Sequence, residues 1–139
     1  MKLFHIILGL WALCLTAKAE LSVSVAAPKA TGNKVLVKLE LANTFTNTVQ
    51  SARAEVFLFD GAGKVMGRSS RWVIGGPLRK PVPTNPPLPP QGKATFNFVV
   101  TTPKPAPSTN LTARVTFSRV ILEGGKQANP VKDVQIKPK

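Results

Sequence analysis

An all-β fold, a single antiparallel β-sandwich of immunoglobulin or fibronectin type III kind, is the class this sequence predicts, on three observations. Apolar and polar residues alternate with a period of two through about seven short segments, turn residues separate those segments, and no segment shows a convincing 3.6-residue period.

The first segment sets Leu21, Val23 and Val25 against Ser22 and Ser24, and the second sets Val35, Val37, Leu39 and Leu41 against Lys34, Leu36, Lys38 and Glu40. Both read as half-buried strands. The third, Val49 to Asp60, carries Ala52, Ala54, Val56 and Leu58 on one side. Phe57 and Phe59 lie on the other side, so this end is expected to be covered on both faces. Asp60-Gly61-Ala62-Gly63 is a turn, because glycine reaches positive φ and aspartate bonds its own backbone. Lys64 to Ile74 returns as a fourth strand, with Met66, Trp72 and Ile74 on one parity.

Seven prolines between Gly75 and Gly92 then rule out a helix or a central strand. The expectation is an extended crossover in polyproline geometry, strapped over open ladder groups at the sandwich edge. Ala94, Phe96, Phe98 and Val100 form the fifth strand, and a second proline-bearing link runs from Pro103 to Asn110. Leu111, Ala113, Val115 and Phe117 begin the sixth, whose parity slips near Arg119 as a β-bulge would make it. Gly124-Gly125 is the last turn, and Val134 and Ile136 mark a seventh strand before Lys137-Pro138-Lys139. The predicted inward set is Leu21, Val23, Val35, Val37, Leu39, Leu41, Val56, Leu58, Trp72, Phe96, Phe98, Val115 and Phe117. Each such side chain stabilises by roughly 1.5–3 kcal/mol when buried.

The run Leu39-Glu40-Leu41-Ala42-Asn43, then Ala52-Arg53-Ala54-Glu55-Val56-Phe57-Leu58-Phe59-Asp60, then Gly63-Lys64-Val65-Met66-Gly67, and finally Leu88-Pro89-Pro90-Gln91-Gly92 before Phe96 and Phe98, resembles the FxLYD-type domains of bacterial exported and membrane-anchored proteins. The resemblance covers about residues 35–100, with Phe59 standing where that family has tyrosine. It implies an accessory or interaction module and brings no catalytic residue with it.

Residues 1–19 read as an export signal. Lys2 supplies the positive start, Leu3 to Leu15 is almost wholly apolar, and Ala17-Lys18-Ala19 offers small residues at the cleavage positions. The apolar run is short of the roughly 20 residues that cross a bilayer. Leu13 before Cys14 disfavours lipidation. Cleavage after Ala19 would leave residues 20–139, 120 of the 139, as one domain. The chain's one histidine, His5, and one cysteine, Cys14, both fall in the signal, so the mature domain can form no internal disulfide. Lys2 and Lys18 also leave with it, so 17 of the 19 basic residues remain against 6 acidic ones, a formal charge of +11. A secreted or periplasmic protein so charged is drawn to polyanions, with an attraction that salt weakens.

Catalysis finds little support. Without histidine or cysteine, nucleophilic chemistry is left only to Ser69 or Ser70 with Lys64 or Lys80, a serine-lysine hydrolase reading without a recognisable motif. The carboxylates are few and scattered, no imidazole or thiolate offers a metal ligand, and no cofactor is expected. Asn110-Leu111-Thr112 matches a glycosylation acceptor pattern. The binding candidates are Arg68, Arg71 and Trp72, followed by Arg79 and Lys80 in the crossover, which together would place cations beside an indole on one edge. Trp72 in the core is the competing reading. Arg53 and Arg114 are expected to face outward on paired strands, and Lys34, Lys38 and Lys93 outward on the opposite sheet. Charge on both faces argues against a focused nucleic-acid groove. The sequence thus predicts an exported, non-catalytic binding or structural module with a protein or envelope-polymer partner. A polyanion binder for acidic glycan or lipid headgroups is the alternative.

Overall fold

The computed structural model describes residues 19–77, 85–106 and 110–139. The expected signal up to Lys18 and the crossover cations Arg79 and Lys80 lie outside the described residues. The chain is all-β. Its strands are β1 (Leu21–Val25), β2 (Lys29–Thr31), β3 (Lys34–Asn43), β4 (Val49–Phe59), β5 (Val65–Ile74), β6 (Lys93–Thr101), β7 (Thr112–Leu122), β8 (Gln127–Ala128) and β9 (Val134–Pro138). Seven of them are the expected strands; β2 and β8 are additional and too short for alternation to announce them. Among the described residues no helix is long and apolar enough to cross a membrane.

Two sheets share one core. In the first, β6, β3, β1 and β9 lie in that order, and β2 extends the β1 side of β3. Pro28, which has no N–H to give a ladder, stands in the break between β1 and β2. The second sheet has the order β5-β4-β7-β8. All pairings are antiparallel except β1 with β9, a departure from the purely antiparallel expectation. After β8 the chain leaves the second sheet, and β9 joins the first in the direction of β1.

The alternation of each strand fills the space between the sheets with Leu21, Val23, Val35, Val37, Leu39 and Leu41 from one side and Ala52, Ala54, Val56, Leu58, Val115 and Phe117 from the other. Phe98 is buried, whereas Phe96 is half-buried at its edge, the two rings meeting edge to face with centroids 5.1 Å apart. Phe45, Val49, Val73, Ile74, Leu88, Val100, Val120 and Leu122 join the core as well. On one flank the sandwich is closed where β5 meets β6. A Cβ at Gly67 would stand 3.0 Å from Val100 Cγ1 and 3.1 Å from the Thr101 carbonyl, so a residue without a side chain is what lets these two edges approach.

Two expectations about β4 and β5 are corrected. Phe57 and Phe59 are half-buried, with no second layer over them among the described residues. Trp72 is half-buried on the outer face and is not in the core. The cause is a bulge: Ala52 pairs with Ile74 and Arg53 with Trp72, so Val73 is the extra residue and the parity of β5 reverses there. The slip expected near Arg119 is present, since Arg53 pairs with Arg119 and Ala54 with Phe117, leaving Ser118 between them.

The described part of the proline-rich link is a strap at the sandwich edge, as expected, and it takes up ladder groups of β4 beyond the end of β5. Leu88 forms a bridge with Val49, donating and accepting at 2.9 Å, and its side chain is buried. Asn85 Nδ2 donates to the Trp72 carbonyl at 2.8 Å. Asn43, buried at the end of β3, holds the strap from the other side. Its Nδ2 donates to the carbonyls of Asn47 and Leu88, both at 3.0 Å, and its Oδ1 accepts the Phe45 N–H at 2.8 Å. The Asp60 turn is held in the same manner, with Oδ1 accepting from the N–H groups of Ala62 and Lys64 at 2.9 Å.

Candidate functional site

Residues directly opposite one another in an antiparallel pair point to the same face, so the registers of β5, β4 and β7 define an outer surface. Three rows cross it: Trp72, Arg53 and Arg119; then Ser70, Glu55 and Thr116; then Arg68, Phe57 and Arg114. Neighbouring strands lie about 4.8 Å apart and alternate residues about 6.7 Å apart along a strand, so the two arginine rows are roughly 13 Å from each other.

Local contacts order this surface. The Arg53 guanidinium carbon lies 5.9 Å from the centre of the Trp72 ring, and its Nε donates to Ser70 Oγ at 3.0 Å. Arg68 approaches Glu55 Oε1 at 3.8 Å with its side chain 72% exposed, a loose surface pair worth little in stability. Glu55 is the one carboxylate in these rows, set against four arginines, a formal +3. Arg53, Arg114 and Arg119 are exposed.

The two sheets differ in the kind of cation they carry. Arg53, Arg68, Arg71, Arg114 and Arg119 all lie on β4, β5 and β7, and no lysine occurs on those strands. In the first sheet β2, β3, β6 and β9 carry lysine, and none of its strands carries arginine. Arginine presents a planar, delocalised fork that engages carboxylate, sulfate or phosphate through two parallel hydrogen bonds, whereas lysine is a compact, strongly hydrated charge.

Of the residues the sequence singled out, Arg68 and Trp72 lie on this face. Arg71 does not: its register partner Ala54 points into the core, which places exposed Arg71 at the rim between the sheets. Arg79 and Lys80 are outside the described residues. Arg53, Arg119 and Arg114 complete the rows instead, beside half-buried Phe57. The outward parity of Arg53 and Arg114 and the slip near Arg119 were legible, but the bulge that turns Trp72 outward and the pairings that bring Trp72 and Arg119 beside Arg53 were not. Ser70 accepts a hydrogen bond from Arg53, a group that stays protonated and cannot serve as a general base. Ser69 is half-buried opposite Val56.

No protein-family model and no curated protein matches the sequence. Among solved structures, a crystal structure of a Bordetella pertussis protein provisionally named ApaA is similar, at a TM-score of 0.51 and 18% identity, covering 79% of this chain and 85% of that one. A second structural-genomics X-ray structure gives a TM-score of 0.44 at 12% identity, covering 80% of this chain and 77% of the other. The first likeness is one of fold alone.

Proposed function

We propose that this chain is an exported, non-catalytic binding module that holds an acidic glycan on the outer face of β5, β4 and β7. The segregation of arginine onto that one sheet carries the reading. Four arginines in two rows, one carboxylate between them, and two half-buried aromatic rings suit a chain of anionic sugars. The rows can grip charged groups roughly 13 Å apart while ring faces meet pyranose rings. A lipid surface fits less well, because Trp72 and Phe57 are half-buried and do not stand out to enter an acyl boundary. We read the sandwich as immunoglobulin or fibronectin type III-like. The order β5-β4-β7-β8 corresponds to the C′-C-F-G sheet of such domains, and β1-β3-β6 to the sheet facing it.

The test compares the mature domain with two variants on immobilised heparin and polygalacturonate near physiological salt. Arg53, Arg68, Arg114 and Arg119 changed to Gln should weaken retention by about tenfold or more. Lys34, Lys38 and Lys93 changed to Gln on the opposite sheet should change it little. Equal losses in both variants would show diffuse charge attraction and refute the site. Tighter binding to anionic liposomes than to either glycan would refute the ligand.

A further inference from the structure

The flank opposite the β5 and β6 contact is open. There the start of β7 and the end of β9 face each other across a cleft of about 560 Å³, bounded also by the β1 to β2 link and Phe59. Four consecutive residues of β7, Thr112 to Val115, line it. A strand face would contribute only alternate residues, so consecutive lining means that the cleft runs against the strand's edge. Among the described residues that edge is unpaired over most of its length. β7 pairs with β4 along its length, but on its other side β8 covers only Val120 and Ile121. From Thr112 to Arg119, alternate residues therefore direct backbone N–H and C=O groups away from β4 with no partner among the described residues.

The two edges of this cleft are not equivalent. β9 ends in Lys137 and Pro138, the residue types that blunt an edge by charge and by a missing donor. The free stretch of β7 holds no proline and no lysine. Leu111 and Val25 are half-buried at the cleft, and Ile136 is 38% exposed there. No aspartate or glutamate lines it, whereas Arg114 and Lys139 do.

We propose that this cleft is a strand-addition site. An extended segment of a partner protein, apolar at alternate positions and carboxylate-bearing between them, pairs with β7 over Thr112–Arg119 as a continuation of the line of β8. Its apolar side chains cover Val25, Leu111 and Ile136, and a carboxylate meets Arg114. Main-chain pairing supplies affinity and the side-chain alternation supplies selectivity. A second copy of this chain is disfavoured as the occupant, because a domain at +11 repels itself and its own edge strand β9 ends in lysine and proline.

The probe is a dye-labelled octapeptide, Asp-Val-Thr-Val-Asp-Val-Thr-Val, followed by anisotropy with the mature domain and by amide hydrogen exchange. Binding should slow exchange about tenfold at alternate amides of Thr112–Arg119. Ile136→Lys, a change at an already exposed position, should weaken binding about tenfold. A peptide of equal charge whose two central valines are proline should not bind measurably. Equal binding of the proline peptide would reduce the effect to charge and overturn the proposal. So would protection confined to other strands, or sedimentation showing that the free domain already dimerises through this edge.

Discussion

Replacing Asn43 with alanine should cost the domain about 3 kcal/mol. The side chain is 1% exposed and makes three hydrogen bonds, at 2.8, 3.0 and 3.0 Å, to the loop after β3 and to the strap. Each is worth roughly 0.5–1.5 kcal/mol net, and a buried group left unpaired costs about 1–3. The losses are unequal. Leu88's carbonyl still accepts the Val49 N–H, but the Phe45 N–H would lose its acceptor, which places the sum near the middle of the range. For a domain of this size the midpoint of thermal unfolding should fall by about 10–15 °C. Urea unfolding of residues 20–139 gives the free energy directly, with an unchanged m-value expected. Asn43→Asp separates hydrogen bonding from packing. It keeps the acceptor for Phe45 but turns oxygen toward the Asn47 and Leu88 carbonyls, so it should be worse than alanine at neutral pH and partly recover in acid as the carboxyl protonates. A loss below about 1 kcal/mol for alanine, or no pH dependence for aspartate, would refute the clamp.

Gly75 sits at φ +55°, and a Cβ there would lie 2.1 Å from the Gln50 carbonyl oxygen. Gly75→Ala should therefore cost more than about 3 kcal/mol, whereas Gly124→Ala, at φ +81° in open space, should cost about 1; equal losses in urea would contradict the clash. The Lys139 hydrogen bond, then its charge, with Lys38 adding to it, hold Glu40 below its ordinary value of 4.5 against the opposing desolvation. A depressed folded-state value means that the contact's contribution is full above the unfolded value and is lost as pH falls through the folded one. The protection factor of the Lys139 amide, which donates to Val25, should fall as acid protonates Glu40, and Glu40→Gln should abolish that dependence; an identical pH profile in the variant would contradict it.

How much of this was legible in the sequence varies with the range of the interaction concerned. Leu21 and Val23 in β1 and Val35 to Leu41 in β3 alternate without interruption, and every one of those inward residues is buried. Trp72 was misplaced because one inserted residue, Val73, reverses the parity, and nothing in the composition of β5 marks which residue is extra. The slip in β7 could be read because Val120 and Leu122 resume on the other parity after Ala113, Val115 and Phe117, whereas in β5 no apolar alternation precedes Trp72-Val73-Ile74 against which a slip could show. The strands β2 and β8 are three and two residues long, below the length at which a period of two can be seen. For the candidate site, Arg68 and Trp72 were found together because they are neighbours in one strand. Arg53 and Arg119 were not joined to them, because the closeness of those residues depends on two separate pairings.

The sequence by itself determined what each residue does along its own strand: which segments extend, where turns interrupt them, and which side chains can turn inward, since side-chain direction in a strand follows from the backbone's two-residue repeat. It also determined the excess of positive charge and the loss of histidine and cysteine that signal cleavage would bring. Only the tertiary structure decided which strands lie side by side, where each ladder slips, and which edge stays open. Those outcomes rest on packing between residues far apart in the chain, and one bulge is enough to move a side chain from the core to the surface. By that means four arginines of three strands came to share one face, and the side of β7 away from β4 was left without a partner strand over its first residues among those described.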